Sequence, residues 1–212
     1  MLDYYSRHFD TVELNNTFYR LPTENGLTTW RESTPKGFCF SAKGSRFITH
    51  MKKLKDPESA VEKYFDRVCQ LGSKLGPVVF QLPPWWEADA DRLQAFLDVL
   101  PKRRRYAFEL RNPTWHTPEI LRMLHRRNVA FCIFEIAGFH SGFDITANFT
   151  YVRLHGPGGA YQGSYPTTTL QEWAARIRDW QKDLRAIYVY FDNDQAGFAV
   201  RNALELKKLL NG

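Results

Sequence analysis

The sequence is short of the features that would assign it to several large classes. None of its 212 residues lies in a run approaching the roughly 20 consecutive apolar residues of a membrane span. The opening stretch, MLDYYSRHFD, lacks the apolar core of a secretory signal. Cysteine is scarce: Cys39, Cys69 and Cys132 are odd in number, far apart and form no CxxC pair. That spacing excludes a sequence-local zinc or dithiol motif and suits buried thiols in a reducing compartment, so a cytoplasmic protein is expected. No Ser/Gly/Pro-rich linker or low-complexity tract divides the chain, which reads as one domain over 1–212. Acidic excess is also absent, the net charge being +6 with an isoelectric point near 9.2.

What is present is a regular alternation of β-rich runs with amphipathic helical stretches. Seven strands are predicted, over 11–15, 38–43, 77–83, 106–111, 130–135, 150–155 and 186–192. Helical patterns fall near 57–74, 89–99, 117–128, 168–184 and 196–210, with Asp56 and Thr117 placed to cap the helices that open at Pro57 and Pro118. Asp194 is a further cap candidate, for the last helix. A βα order throughout implies a mostly parallel sheet.

Parallel strands sandwiched by helices are apolar on both faces. Here one phase of each strand is polar near its end: Glu13 and Asn15, Ser41 and Lys43, Gln81, Glu109 and Arg111, Glu135, Arg153 and His155, Asp192. The other phase is apolar, as in Phe40, Phe80, Phe108, Val152 and Val189. A TIM-type (β/α) barrel accounts for this, because its outer face packs under helices while its interior ends in a polar mouth at the C-terminal ends of the strands. The chain opens with a helical stretch, Leu2, Tyr5 and Phe9, so the expected architecture is an α/β barrel lacking its first strand, with two strand edges exposed.

The stretches FDTVELNNTFYRLP, TPKGFCFSAKGSRFITH, LGSKLGPVVFQLPP, FELRNPTW, YVRLHGPGGAYQGSY and YVYFDNDQAGFAVRNALEL cover nearly the whole chain. In these the protein resembles the DUF72 family, also called YecE-like proteins. The resemblance implies a TIM-type barrel and leaves the biochemical role undefined. It departs at the start, where the family has a glycine-rich first strand resembling IGTSGW and this chain has none.

The mouth residues define the expected site. Glu13 and Glu109 are the acid and base candidates, His155 could shuttle a proton near neutral pH, and Asp192 completes the catalytic set. Lys43, Arg111 and Arg153 suit an anionic group, since guanidinium forks match phosphate and carboxylate. Asn15, Gln81 and Asn193 add neutral polar contacts at the same strand ends. In HGPGGAYQGSYP, Gly158 lets backbone approach a ligand and Tyr161 could close over it, while Trp85 and Trp115 could stack on a sugar or base. His50 and His116 lie on that side in loops. The same charges could instead satisfy one another as an ion-pair network.

The expected activity is therefore acid/base chemistry, hydrolase or lyase, on an anionic, phosphate-containing or nucleotide-like substrate. One alternative is a non-catalytic module binding an anion or nucleic acid. The other is a metal-dependent phosphodiesterase- or isomerase-like barrel, or a glycosidase-like one. No cofactor is required by any motif; a divalent metal is an open alternative, with Glu13, Glu109, His155 and Asp192 of suitable ligand type. The expected partner is a small anionic ligand. A nucleic acid is the weaker expectation, since the most basic run, KRRRY at 102–106, precedes a strand and so falls opposite the mouth. No membrane contact is expected, and the sequence does not set an oligomeric state.

Overall fold

The computed structural model describes residues 2–212. They gather into two compact units, one running up to Val129 and the other from Ala130 to Gly212.

The first unit contains helix α1 (Leu2–Tyr5), strand β1 (Thr11–Leu14), α2 (Asn16–Tyr19), α3 (Glu24–Glu32), β2 (Cys39–Lys43), a π-helical turn (Phe47–Met51) and α4 (Glu58–Val68). A 3-10 segment (Cys69–Lys74) then leads into β3 (Leu75–Leu82), α5 (Ala90–Val99), β4 (Tyr106–Leu110), a second 3-10 turn (Pro113–Trp115) and α6 (Pro118–Arg126). Its four strands are parallel in the order β1-β2-β3-β4. The apolar phase packs as the alternation requires: Phe40, Phe80 and Phe108 are fully buried. The Phe80 ring lies 5.4 Å from Phe108 and 5.0 Å, edge-on, from Phe96 of α5. A hydrophobic stripe on α5, Leu93, Phe96 and Leu97, thus covers the sheet face that faces away from the polar phase.

The second unit contains β5 (Ala130–Ile136), β6 (Phe139–His140), β7 (Phe149–Leu154), α7 (Thr167–Trp180), β8 (Ala186–Phe191) and α8 (Phe198–Asn211). Strands β5, β7 and β8 are parallel in that order, and β6 turns back antiparallel on β5. Helices α7 and α8 are pinned by Thr167 donating to Glu205 at 2.6 Å and by Arg178 donating to the Leu209 carbonyl.

The seven expected strands are present to within two residues at each end. Two of the expected caps are not. Asp56 takes a left-handed φ of 38° and the cap position of α4 falls to Pro57, which makes no side-chain cap bond. Asp194 makes no cap bond either, because α8 starts later, after Gly197 at φ 73°. Thr117 does cap α6, accepting from Ile120 N at 3.3 Å. Helix α3, opened by Thr23 accepting from Gly26 N at 3.1 Å, and the short β6 were not expected.

Candidate functional site

Within the first unit the polar phase is carried to the ends of β1, β2, β3 and β4 by the parallel register. Glu13 stands opposite Ser41 and Gln81 opposite Glu109, with Lys43 and Arg111 one pleat further along their chains. Lys43 is fixed through its own carbonyl: the Thr17 hydroxyl lies 2.7 Å from it and the Tyr64 hydroxyl donates to it at 3.0 Å. The next residue, Gly44, must be glycine, since a Cβ there would stand 2.3 Å from the Phe80 ring. The side chain of Lys43 reaches over Phe18, with Nζ 4.6 Å from the ring centre. On the same ring His50 sits edge-on at 5.1 Å.

Glu109 is wholly buried, and a carboxylate there is tolerated only if paired. Arg111, two residues on and so on the same face, supplies the pair by donating Nε to Glu109 Oε1 at 2.5 Å. The turn that follows is locked. Asn112 Oδ1 accepts from Thr114 N at 3.0 Å, Asn112 Nδ2 donates to the Pro84 carbonyl at 2.8 Å, and Trp115 Nε1 donates to the Trp86 carbonyl at 2.8 Å. Trp115 is completely buried against Trp86, so no face of its ring is open for stacking on a ligand. Its aromatic surface instead holds two loops together. Trp85, by contrast, is 60% exposed.

His50 is the residue that the sequence did not single out. Burial first, then the charges of Lys43, Arg46 and Arg111, depress its pKa to about 4. The Thr49 hydroxyl lies 2.9 Å from His50 Nδ1 and 3.2 Å from the Ser45 carbonyl, which ties the ring to its own turn. The ring is neutral at pH 7, set among three cations. The available signal was the stretch from Gly44 to Lys55, which has no acid. Asn15 is exposed, at the start of α2, and Gln81 is buried on β3.

In the second unit Arg153, His155 and Asp192 meet. Arg153 Nη2 lies 2.9 Å from Asp192 Oδ2, His155 Nδ1 lies 3.3 Å from the same oxygen, and Arg153 Nη1 lies 3.4 Å from His155 Nε2. The three side chains thus form one buried polar cluster at the ends of β7 and β8. His155 and Arg153 are buried almost without trace. Glu135, half-buried at the end of β5, is pushed above the usual carboxylate range by burial. Burial, then the Glu135 charge, also holds the Tyr165 phenol above its ordinary value.

The loop carrying Gly158 and Tyr161 is tied down at several points. Gly163 N donates to Gln195 Oε1 at 3.1 Å, Asn193 Nδ2 to the Gly163 carbonyl at 2.8 Å, and Tyr165 N to Asn202 Oδ1 at 3.1 Å. Asn193 is thus engaged in holding the loop. Tyr161 is exposed, with its ring edge-on to His155 at 5.4 Å. Among the described residues no group of three or more His, Cys, Asp and Glu is arranged to hold a metal ion. No helix among them is long and apolar enough to cross a membrane.

The model of one family, "Protein of unknown function DUF72", matches residues 1–212. The chain belongs to the DUF72 family. Among DUF72 relatives, the UPF0759 protein YunF of Bacillus subtilis is 26% identical over 99% of this chain and 86% of its own length. The UPF0759 protein YecE of Escherichia coli K12 is 32% identical over 66% of this chain and 54% of its own length. A crystal structure of a DUF72 family protein from Enterococcus faecalis V583 superposes with a TM-score of 0.89 at 20% identity, over 100% of this chain and 88% of that one. Another, from Thermotoga maritima MSB8, gives 0.85 at 24% identity, over 96% and 85%. The fold class is the expected one: α/β of the TIM-barrel type, with seven parallel strands where the full barrel has eight.

Proposed function

We propose that this DUF72 protein is an enzyme that binds an anionic, phosphate-containing or nucleotide-like substrate at the strand ends of its first unit and acts on it by acid/base chemistry, as a hydrolase or lyase. The observation that carries this reading is that Lys43 and His50 meet on the Phe18 ring while Arg111 stands paired with Glu109 at a neighbouring strand end, with His50 held neutral by burial and by the charges of Lys43, Arg46 and Arg111. Arg111 is aimed by Glu109, which fixes the guanidinium so that little side-chain freedom is lost when it binds. His50 offers a lone pair among these cations, and Glu13, on the same sheet face, is the carboxylate for proton transfer. The three cysteines are thiols, without a disulfide among the described residues, which supports a reducing, cytoplasmic setting.

A thermal-shift screen against phosphate, nucleotides and sugar phosphates, followed by turnover assays on the ligands that stabilise, tests the reading. Stabilisation by a phosphate-bearing ligand should vanish in Arg111→Ala, while Glu13→Gln should keep binding and lose turnover by about 100-fold or more. Binding without turnover in any form would leave an anion-binding module. No stabilisation by any of these ligands would remove the substrate class altogether.

A further inference from the structure

Beside that site, the π-helical turn Phe47–Met51 and the residues after it present an unusual surface. Phe47, Met51 and Trp85 are 47%, 69% and 60% exposed, among the largest apolar exposures of the protein. Each aromatic ring carries a lysine: Lys52 Nζ is 5.9 Å from the centre of Phe47 and Lys53 Nζ is 4.5 Å from that of Trp85. Lys55 follows, and no acid interrupts the chain from Gly44 to Lys55.

The backbone here is held in costly conformations. The turn is π-helical, a geometry that is rare and concentrated at functional sites. Lys53 and Leu54 then take left-handed φ of 49° and 62°, and Asp56 one of 38°. Leu54 anchors the stretch, its side chain buried and its N donating to the Ile48 carbonyl at 2.9 Å. Non-glycine residues in this region cost about 1–3 kcal/mol each. The turn sets Lys52 and Lys53 beside the two rings, and Lys52 Nζ also donates to the Asp56 carbonyl at 3.2 Å. Next to Phe47 a cavity of about 480 Å³ opens, lined by Ser45, Ile48, Lys52, Ser59 and Lys63 among others and by no carboxylate.

We propose that this surface, formed by Phe47, Met51, Lys52, Lys53, Lys55 and Trp85, binds single-stranded nucleic acid. Exposed rings paired with lysines match a polymer in which bases and phosphates alternate, with stacking on the rings and phosphate contact to the ammonium groups. The cavity hydroxyls of Ser45 and Ser59 suit a sugar or phosphate. An acidic peptide would satisfy the lysines and leave the rings wet. A membrane surface calls for a continuous apolar face, whereas here lysines separate the rings. The surface is distinct from the basic run at 102–106, and the proposal does not rest on turnover at the neighbouring site.

The test is fluorescence anisotropy with labelled single-stranded oligonucleotides about 12 nucleotides long, over a salt series, beside polyglutamate and anionic phospholipid vesicles. Binding should weaken with salt, and Lys52→Ala/Lys53→Ala/Lys55→Ala should reduce the log–log slope by about 2. Trp85→Ala and Phe47→Ala should each weaken binding about 10-fold, and oligonucleotide quenching of tryptophan fluorescence should shrink in Trp85→Phe. Both ring variants should keep any phosphate stabilisation that depends on Arg111. Because Trp85 is exposed, its variants stay informative even if Phe47→Ala folds poorly. No binding at low salt would overturn the proposal. So would equal or tighter binding of polyglutamate or vesicles, or oligonucleotide binding lost with Lys102→Ala/Arg103→Ala/Arg104→Ala and indifferent to Trp85 and Phe47.

Discussion

At the scale of single residues, His50 reports on the charge around it. Its folded pKa of about 4 lies below the ordinary 6.5 because burial and the neighbouring cations disfavour a second proton. Between those two pH values the unfolded chain binds a proton that the folded chain refuses. The stability His50 contributes is therefore complete above about pH 6.5 and is lost as pH falls toward 4. Urea unfolding at pH 7.5 and pH 5 should show wild type losing more stability on acidification than His50→Gln, whose side chain does not titrate; equal losses would mean that neither burial nor those cations depress the imidazole's pKa. Arg153 and Asp192 show the other way of keeping charge inside, as a buried pair 2.9 Å apart with His155 beside it. The legible part of the candidate site was the polar phase of the strands, because alternation fixes which side chains share a face. Loop residues obey no such period. Trp115 reads as a rim aromatic but is drawn inside by its bond to the Trp86 carbonyl, and His50 owes its depressed pKa first to burial, which the local sequence does not encode, and then to Lys43 and Arg46 nearby and Arg111 from another strand end.

Elements differ in how much freedom they retain, and the loop after β7 retains little. Gly156 sits at φ 109°, where a Cβ would stand 2.3 Å from the Gln162 carbonyl oxygen, so the first turn of the loop closes only around glycine. Gly158, two residues on, meets nothing within 4 Å. Gly156→Ala should destabilise the protein by about 1–3 kcal/mol or more and open residues 157–163 to limited proteolysis, while Gly158→Ala should leave both thermal melting and cleavage unchanged. An equal, small effect of the two would show that the loop adapts and that its tethers at Gly163 and Tyr165 do not set its shape. The strands were legible because each repeats a two-residue period over a buried face. The shortfalls are local. Helix α3, ENGLTTWRE, contains glycine, β-branched threonines and one deeply buried residue, Leu27, so its period is faint. The π-helical turn has no sequence period of its own, and Asp56 cannot cap α4 because its backbone is spent on a left-handed turn.

At the scale of the whole molecule, the strands do not share burial evenly. Every residue of β4 and β7 is buried, and β3 is nearly so, whereas β1 is half-buried throughout and β8 at all but one position. Strand β1 pairs with β2 alone among the described strands, and β8 with β7 alone. That is the consequence expected of seven parallel strands in a fold that has eight: two strands have a single strand neighbour. The sequence made the count legible, because each strand announces itself, but the uneven burial follows from neighbours that no single strand encodes. Backbone amides without a second strand partner open at lower free energy than those in the middle of a ladder. Hydrogen exchange measured by mass spectrometry should show peptides covering Thr11–Leu14 and Ala186–Phe191 exchanging well before those covering Tyr106–Leu110 and Phe149–Leu154, by about 10-fold or more in rate for each 1.4 kcal/mol of local stability. Uniform protection across all four would mean that β1 and β8 gain from other contacts what a strand partner would have given them, and that the outer strands are as firmly held as the inner ones.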